Sequence, residues 1–180
     1  MTIDIITGHD LPDTLIDMMN RQRIHEYQVN TKNFRQNEQD STFFFVRADE
    51  EVKAFGMLKP VVLIYQGQPT SILGIGNIIA RDKGTGQGRQ LMTAIREYLT
   101  TKGRIGLGFC KHQVAGFYQA CGYQVVDGLS GRFRYSLAYL SDERDILTHS
   151  YHTLCHDPIG GFIESLQASD DCIYSNQPFW

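Results

Sequence analysis

The 180-residue sequence has no apolar run approaching the eighteen or so residues of a membrane-spanning helix. Its opening, MTIDIITGHD, lacks the basic stretch and hydrophobic core of a secretory signal. A cytoplasmic chain with no membrane partner is therefore expected. Positive charge is also in short supply: seventeen Lys and Arg against twenty Asp and Glu leave a formal net charge of −3, which argues against a general nucleic-acid binder. Cysteine is sparse. Cys110, Cys121, Cys155 and Cys172 include no C-x-x-C pair and do not reach the density of a disulfide scaffold, so reduced thiols are expected. There is no internal repeat and no low-complexity segment.

What is present suits one globular domain: 42% hydrophobic and 21% charged residues supply enough apolar material for a core. TIDIIT reads as a short strand, and Leu11, Leu15, Met18 and Met19 then recur at helical spacing up to the polar stretch near Arg21. Residues 30–41 are polar and aperiodic, which predicts a loop or a mobile lid. STFFFVRA, VKAFGMLKPVVLIYQ and TSILGIGNIIA, separated by the turn-like DEE and GQP, predict three successive antiparallel strands. Leu91, Met92, Ile95, Tyr98 and Leu99 form one apolar helical face, ended near Gly103. RIGLGFC reads as a strand, QVAGFYQACGY as a short helix ended by Gly122, and YQVV and RFRYSLAYL as two more strands. This order implies the α/β class, with a mixed sheet carrying helices on both faces.

Two stretches invite a chemical reading. HSYHTLCH brings together His149, His152, Cys155 and His156, all zinc-ligand types, with His152 and His156 on one face of a helix. Their spacing fits no established zinc pattern and Cys155 and His156 diverge on a helix, so the segment reads as a polar connector and no metal is expected. RDKGTGQGRQLM places Gly84, Gly86 and Gly88 at alternate positions in front of a helix. Glycines there cost stability but let the backbone approach a ligand, and exposed N–H groups at a helix start suit an anion. A P-loop is excluded because no Lys-Ser or Lys-Thr follows, and the G-x-G-x-G spacing is a poor match to a dinucleotide fingerprint.

IIARDKGTGQGRQLM resembles the acyl-CoA loop of the GNAT superfamily of N-acyltransferases, written [QR]-x-x-G-x-[GA] between a central strand and a long helix. Lys83 stands where Gln or Arg is usual, Gly86 and Gly88 fill the later positions, and Leu91 matches a common apolar site. HQVAGFYQACGYQVV is similar to the family's N-x-x-A-x-x-[FL]-Y-x-x-x-G-[FY] segment, with Ala115, Tyr118, Gly122 and Tyr123 in register. The resemblance implies a GNAT-like, mostly antiparallel central sheet flanked by helices on both faces. It spans residues 1–140, with residues 141–180 as a C-terminal extension packing on that core within a single domain.

It further implies acetyl-CoA as co-substrate and acetyl transfer to a primary amine of a small molecule. Lys83, Gly84, Thr85, Gly86, Gln87, Gly88 and Arg89 would hold the pyrophosphate, with Arg81 adding positive potential. A backbone N–H of Ile78 or Ile79 would meet the thioester carbonyl, and Tyr118 would protonate the departing thiolate. His112 occupies a place where the family often has Asn; a general base and a simple hydrogen-bonding group both remain open. Gly74 stands where many members carry a strand glutamate, and Asn77 beside it cannot act as a base. That departure motivates a second reading, a catalytically weak acyl-CoA-binding regulatory module. The tail, ending DCIYSNQPFW, resembles aminoglycoside 2′-N-acetyltransferases, which implies an aminoglycoside- or polyamine-like acceptor facing Asp170, Asp171 and the carboxylate of Trp180; a tail that only packs across the sheet is the alternative. A homodimer is left open by the sequence.

Overall fold

The computed structural model describes residues 1–135, 144–145, 151–178 and 180. Its strands are β1 (Thr2–Thr7), β2 (Thr42–Ala48), β3 (Glu51–Tyr65), β4 (Gln68–Ala80), β5 (Gly106–Lys111), β6 (Gln124–Val126), β7 (Phe133–Tyr135), β8 (Arg144–Asp145), β9 (Tyr151–His156) and β10 (Ile173–Ser175). Its helices are α1 (Asp13–Tyr27), α2 (Phe34–Asn37), α3 (Gln87–Lys102), α4 (Ala115–Ala120) and α5 (Phe162–Gln167). The fold is mixed α/β, with a mainly antiparallel sheet flanked by helices. The chain divides into two compact units, Met1–Lys59 with Ile75–Ile95 and Pro60–Gly74 with Arg96–Trp180, so β3, β4 and α3 contribute residues to both. No helix among the described residues is long and apolar enough to cross a membrane.

In the first unit β1 pairs antiparallel with β2, from Thr2 opposite Arg47 to Thr7 opposite Thr42, and β2 pairs antiparallel with β3. Aromatic and β-branched residues favour the pleated surface, and Phe43, Phe44, Phe45 and Val46 are all fully buried. Four consecutive buried residues on a strand require both of its faces to be covered. Phe34 meets Phe43 edge-on at 5.7 Å between ring centres, and Leu91, Met92 and Ile95 bury the expected face of α3. Each such side chain contributes about 2 kcal/mol by leaving water.

Two expectations are corrected here. The first helix does not end near Arg21 but runs to Tyr27, where Gln28 adopts a left-handed φ of 54°. The apolar periodicity fades because Ile24 and Tyr27 are largely exposed, yet Arg23 and Tyr27 hold their turns by bonding to β4. Nor are residues 30–41 a free lid: α2 lies within them, Phe34 and Glu38 are buried, and the Asn33 side chain caps α2 by accepting from Gln36 N–H at 3.1 Å.

In the second unit the strand order is β6-β9-β5-β4-β3-β10-β7-β8. HSYHTLCH is therefore not a polar connector. Its described part is β9, inserted between β5 and β6 and antiparallel to both, from Gly106 opposite His156 to Lys111 opposite Tyr151. Thr153, Leu154 and Cys155 are buried there. β10 pairs antiparallel with β3 and parallel with β7. The strand expected over RFRYSLAYL is present as Phe133–Tyr135, and residues 136–140 lie outside the described residues. All four cysteines are free thiols, and burial pushes Cys110 up to about 11 and Cys155 up to about 12, so both stay protonated at neutral pH.

Candidate functional site

Near its end β4 leaves extended geometry. Asn77 has a φ of 52°, a conformation that non-glycine residues adopt rarely and Asn more readily than most. Such a kink re-aims the backbone that follows it, here Ile78 and Ile79. Helix α1 holds the distortion in place. Arg23 Nε donates to Asn77 Oδ1 at 2.8 Å and Tyr27 Oη donates to the Ile78 carbonyl at 2.9 Å, while Asn77 Nδ2 lies 3.2 Å from Met57 Sδ. The ring is partly exposed, but its hydroxyl end is desolvated against β4, which pushes the Tyr27 phenol up to about 12 and keeps it a donor across the physiological range. Arg23 and Tyr27 were not found by sequence pattern; Asn77, a poor strand former inside LGIGNIIA, was the available signal.

The same strand runs into the glycine loop. Gly84 and Gly86 have φ of 81° and 86°, and a Cβ added at either would meet nothing within 4 Å, so what these glycines keep clear is open space above the backbone. Gly88 is already in the first turn of α3, and Gln90 N–H closes that turn on the Gly86 carbonyl at 3.0 Å. The first N–H groups of a helix have no partner within it and carry its positive dipole end. The Thr85 hydroxyl is spent locally on the Asp82 carbonyl and the Gln87 side chain. The cations divide: Lys83 is ion-paired with Glu26 and Arg81 lies 3.7 Å from Glu51, whereas exposed Arg89 has no ion-pair partner among the described residues.

In the second unit Tyr118 is buried on α4, its ring edge-on to Phe117 at 5.1 Å, and Cys121 and Tyr123 N–H groups donate to its carbonyl. His112 lies just past the end of β5. Its Nδ1 is 2.6 Å from Nε2 of His152, whose own Nδ1 is 3.3 Å from Asp127 Oδ1. The three residues come from the adjoining ends of β5, β9 and β6, so the sheet ladder itself brings them together. Their ligand-type atoms all lie within 4.8 Å of one another, the chemistry of either a hydrogen-bonded imidazole relay or a cation site. The set considered from the sequence is not gathered. His156 instead bonds Thr100 Oγ1 at 2.8 Å, Cys155 is buried, and His149 lies outside the described residues.

Burial, with Arg96 next in effect, lowers the pKa of His156. The unfolded chain, with its histidine near about 6.5, then binds the proton more readily than the native state. The stabilisation is present above that value and lost as pH falls through the folded-state pKa. His156→Gln is expected to flatten the decline of melting temperature between about pH 7 and 5, measured by calorimetry; an unaltered profile would remove His156 as its source.

Gly74 is explained by packing. A Cβ there would sit 2.4 Å from Trp180 Cδ1 and 2.6 Å from Cγ, because the indole lies directly on the strand. Trp180 is buried, its Nε1 donates to the Leu107 carbonyl at 3.0 Å, and its ring packs against Phe109 at 5.2 Å. Asp171 is elsewhere: exposed, bonded to Gln66 at the β3–β4 turn, and separated from the Gly74 level by six strand residues, roughly 20 Å. Asp170 is exposed. The structure thus does not assemble Asp170, Asp171 and Trp180 into one group.

No family model matches the chain, and no curated protein matches it in sequence. Solved structures match it in shape. It is similar to ElaA of Escherichia coli at TM-score 0.61 and 13% identity, over 87% of this chain and 99% of that one. It is similar to YhbS, a GNAT family N-acetyltransferase of Escherichia coli solved in complex with CoA, at TM-score 0.61 and 12% identity over 98% and 90% of the two chains. An N-acetyltransferase of Staphylococcus aureus Mu50 gives TM-score 0.57 at 14% identity over 89% and 100%. The fold is the GNAT fold.

Proposed function

We propose that the protein is an acyl-CoA-dependent N-acyltransferase of the GNAT superfamily, moving an acetyl group from acetyl-CoA to a primary amine of a small molecule. The observation that carries this reading is the continuity of the kink at Asn77 with the open glycine loop and the start of α3, all on one stretch of chain. The CoA complex of YhbS, on the same fold, supports the choice of ligand.

In this reading the N–H groups from Lys83 to Gly88, the α3 terminus and the Arg89 guanidinium hold the pyrophosphate. A re-aimed N–H of Ile78 or Ile79 donates to the thioester carbonyl, where negative charge grows as the amine attacks. His112 takes the proton that the attacking nitrogen sheds. With His152 Nε2 accepting from His112 Nδ1–H, His112 Nε2 is left as the free base. Tyr118 gives its phenolic proton to the sulfur as the carbon–sulfur bond breaks. The acceptor requirement is a neutral primary amine. The acidic tail implied for an aminoglycoside or polyamine is not gathered into one place, so these acceptors stand beside amino acids and peptides in the test.

That test is thiol release from acetyl-CoA against all four classes of amine, with CoA binding measured separately by melting temperature. Turnover with one class supports the enzyme; CoA binding with no turnover on any amine favours the regulatory module. Tyr118→Phe is expected to lower kcat roughly 10²-fold with little change in acetyl-CoA affinity, since the hydroxyl matters mainly as sulfur leaves. An unchanged rate in a chemistry-limited step would reduce Tyr118 to packing.

A further inference from the structure

We infer that the acceptor amine also carries a carboxylate, bound by Arg23, Lys32 and Lys59 beside the kink in β4. This rests on the acyltransferase reading and narrows it to amino acids and their relatives. The starting point is Glu38, whose side chain has no exposed surface and which no sequence pattern marked. Its Oε1 is shared by Lys32 Nζ, in a close ion pair, and Lys59 Nζ at 3.1 Å, while Ser41 Oγ donates to Oε2 at 2.6 Å. Two ammonium groups on one oxygen lie within roughly 5–6 Å of each other. Both are largely buried, at 19% and 12% side-chain exposure. Phe34 forms an apolar floor, with the Arg23 guanidinium 5.7 Å and the Lys32 ammonium 5.9 Å from its ring centre.

Three cations thus surround one carboxylate, a surplus of two positive charges in a half-dry place. Buried charge is normally matched, because desolvation without a partner is costly. The neighbouring acid does not compensate: Glu26 is engaged with Lys83. Burial, rather than any gain of partners, dominates the environment of Lys32 and of Arg23 and lowers the pKa of each. Donors also remain to be used. Arg23 spends Nε on Asn77 and reaches the Asn30 carbonyl with Nη1 only at 3.5 Å; its Nη2 has no partner among the described residues, and Lys32 Nζ has only Glu38.

A carboxylate supplies what is missing: two acceptor oxygens and a negative charge, for a planar guanidinium and two point charges. The position has a chemical consequence. Arg23 is bonded to Asn77, one residue before Ile78, so an amine separated from that carboxylate by one or two carbons is delivered to the backbone assigned to the thioester carbonyl. A polyamine or aminoglycoside would meet the surplus positive charge instead.

The experiment compares kcat/KM for a panel of L-amino acids, their C-terminal amides, the corresponding decarboxylated amines, phosphoethanolamine, a polyamine and an aminoglycoside, at saturating acetyl-CoA. At least one amino acid is expected to exceed its amide tenfold or more. In Arg23→Gln and Lys59→Gln that ratio should collapse towards one, with the CoA-dependent rise in melting temperature retained; Lys59→Gln leaves Lys32 to pair Glu38 and so guards the fold. Equal rates for acid and amide, preference for phosphoethanolamine, the polyamine or the aminoglycoside, no turnover of any amino acid, or a ratio that survives both substitutions would each overturn the inference. Failure of wild-type protein to bind CoA would overturn the acyltransferase reading itself.

Discussion

Gly86→Val is expected to suppress most of the rise in melting temperature expected of the wild-type protein with CoA, affinity falling roughly 10–10²-fold. The backbone at Gly86 has a φ of 86°, and a Cβ there would meet no protein atom within 4 Å. In the free protein the substitution therefore costs only left-handed strain, of order 1–2 kcal/mol, largest for a β-branched residue. In the complex it also puts methyl groups where phosphate oxygens approach the backbone, removing one charge-assisted hydrogen bond worth about 1.5–3 kcal/mol. The strain is present with and without ligand and cancels in the affinity, so the lost hydrogen bond sets the loss, about one to two decades in Kd. Calorimetric titration with CoA measures the affinity, and the melting temperature without ligand measures the strain. Gly86→Asn separates the two effects, because Asn tolerates positive φ and should restore stability without restoring affinity. A folded Gly86→Val that binds CoA as well as wild type would show that the loop does something else.

The glycine loop was legible in the sequence because its signal is local: residues without Cβ at alternate positions, then a helix with one apolar face. The β2–β3–β4 run was legible for the same reason, its turns being marked by DEE and GQP. What was not legible depends on partners distant in the chain. Tyr151–His156 is polar and histidine-rich, and only its place between β5 and β6 makes it a strand, with ladder bonds on both sides compensating its composition. Residues 30–41 read as a loop because one Phe and one Glu carry no period, although Phe34 and Glu38 anchor the whole segment. His112 stands out through its motif position, whereas His152 and Asp127 stand 40 and 15 residues away along the chain and meet it only through strand register. The kink at Asn77 left a trace, an Asn within an apolar strand, but its bonds to Arg23 and Tyr27 cross from β4 to α1.

Gly74 stands in the sequence as a missing carboxylate, and Trp180 supplies the physical reason for it. The indole occupies the space a side chain at position 74 would need, with Cδ1, Cγ and Nε1 all within 2.7 Å of the Cβ position. Trp180→Ala is accordingly expected to cost about 3–5 kcal/mol in denaturant unfolding, the range for truncating a buried aromatic, part of it from the unpaired Leu107 carbonyl. Gly74→Glu should be about as damaging, because it must expel the same ring and bury a carboxylate beside Phe109. If steric exclusion links the two positions, the double variant Gly74→Glu/Trp180→Ala will be less destabilised than the sum of the single changes by at least about 1 kcal/mol, the new side chain filling the cavity the indole leaves. Additive losses would mean that the two residues do not compete for that space and that glycine at 74 has another cause. The cycle also bears on the chemistry, since the double variant places a carboxylate on β4, at the position where the resembling family carries its glutamate, without having to expel the indole. If it turns over with His112→Ala in the background, while His112→Ala alone does not, then the indole and the imidazole are alternative solutions to one requirement: a strand that gives its base position to packing must take its base from the end of β5.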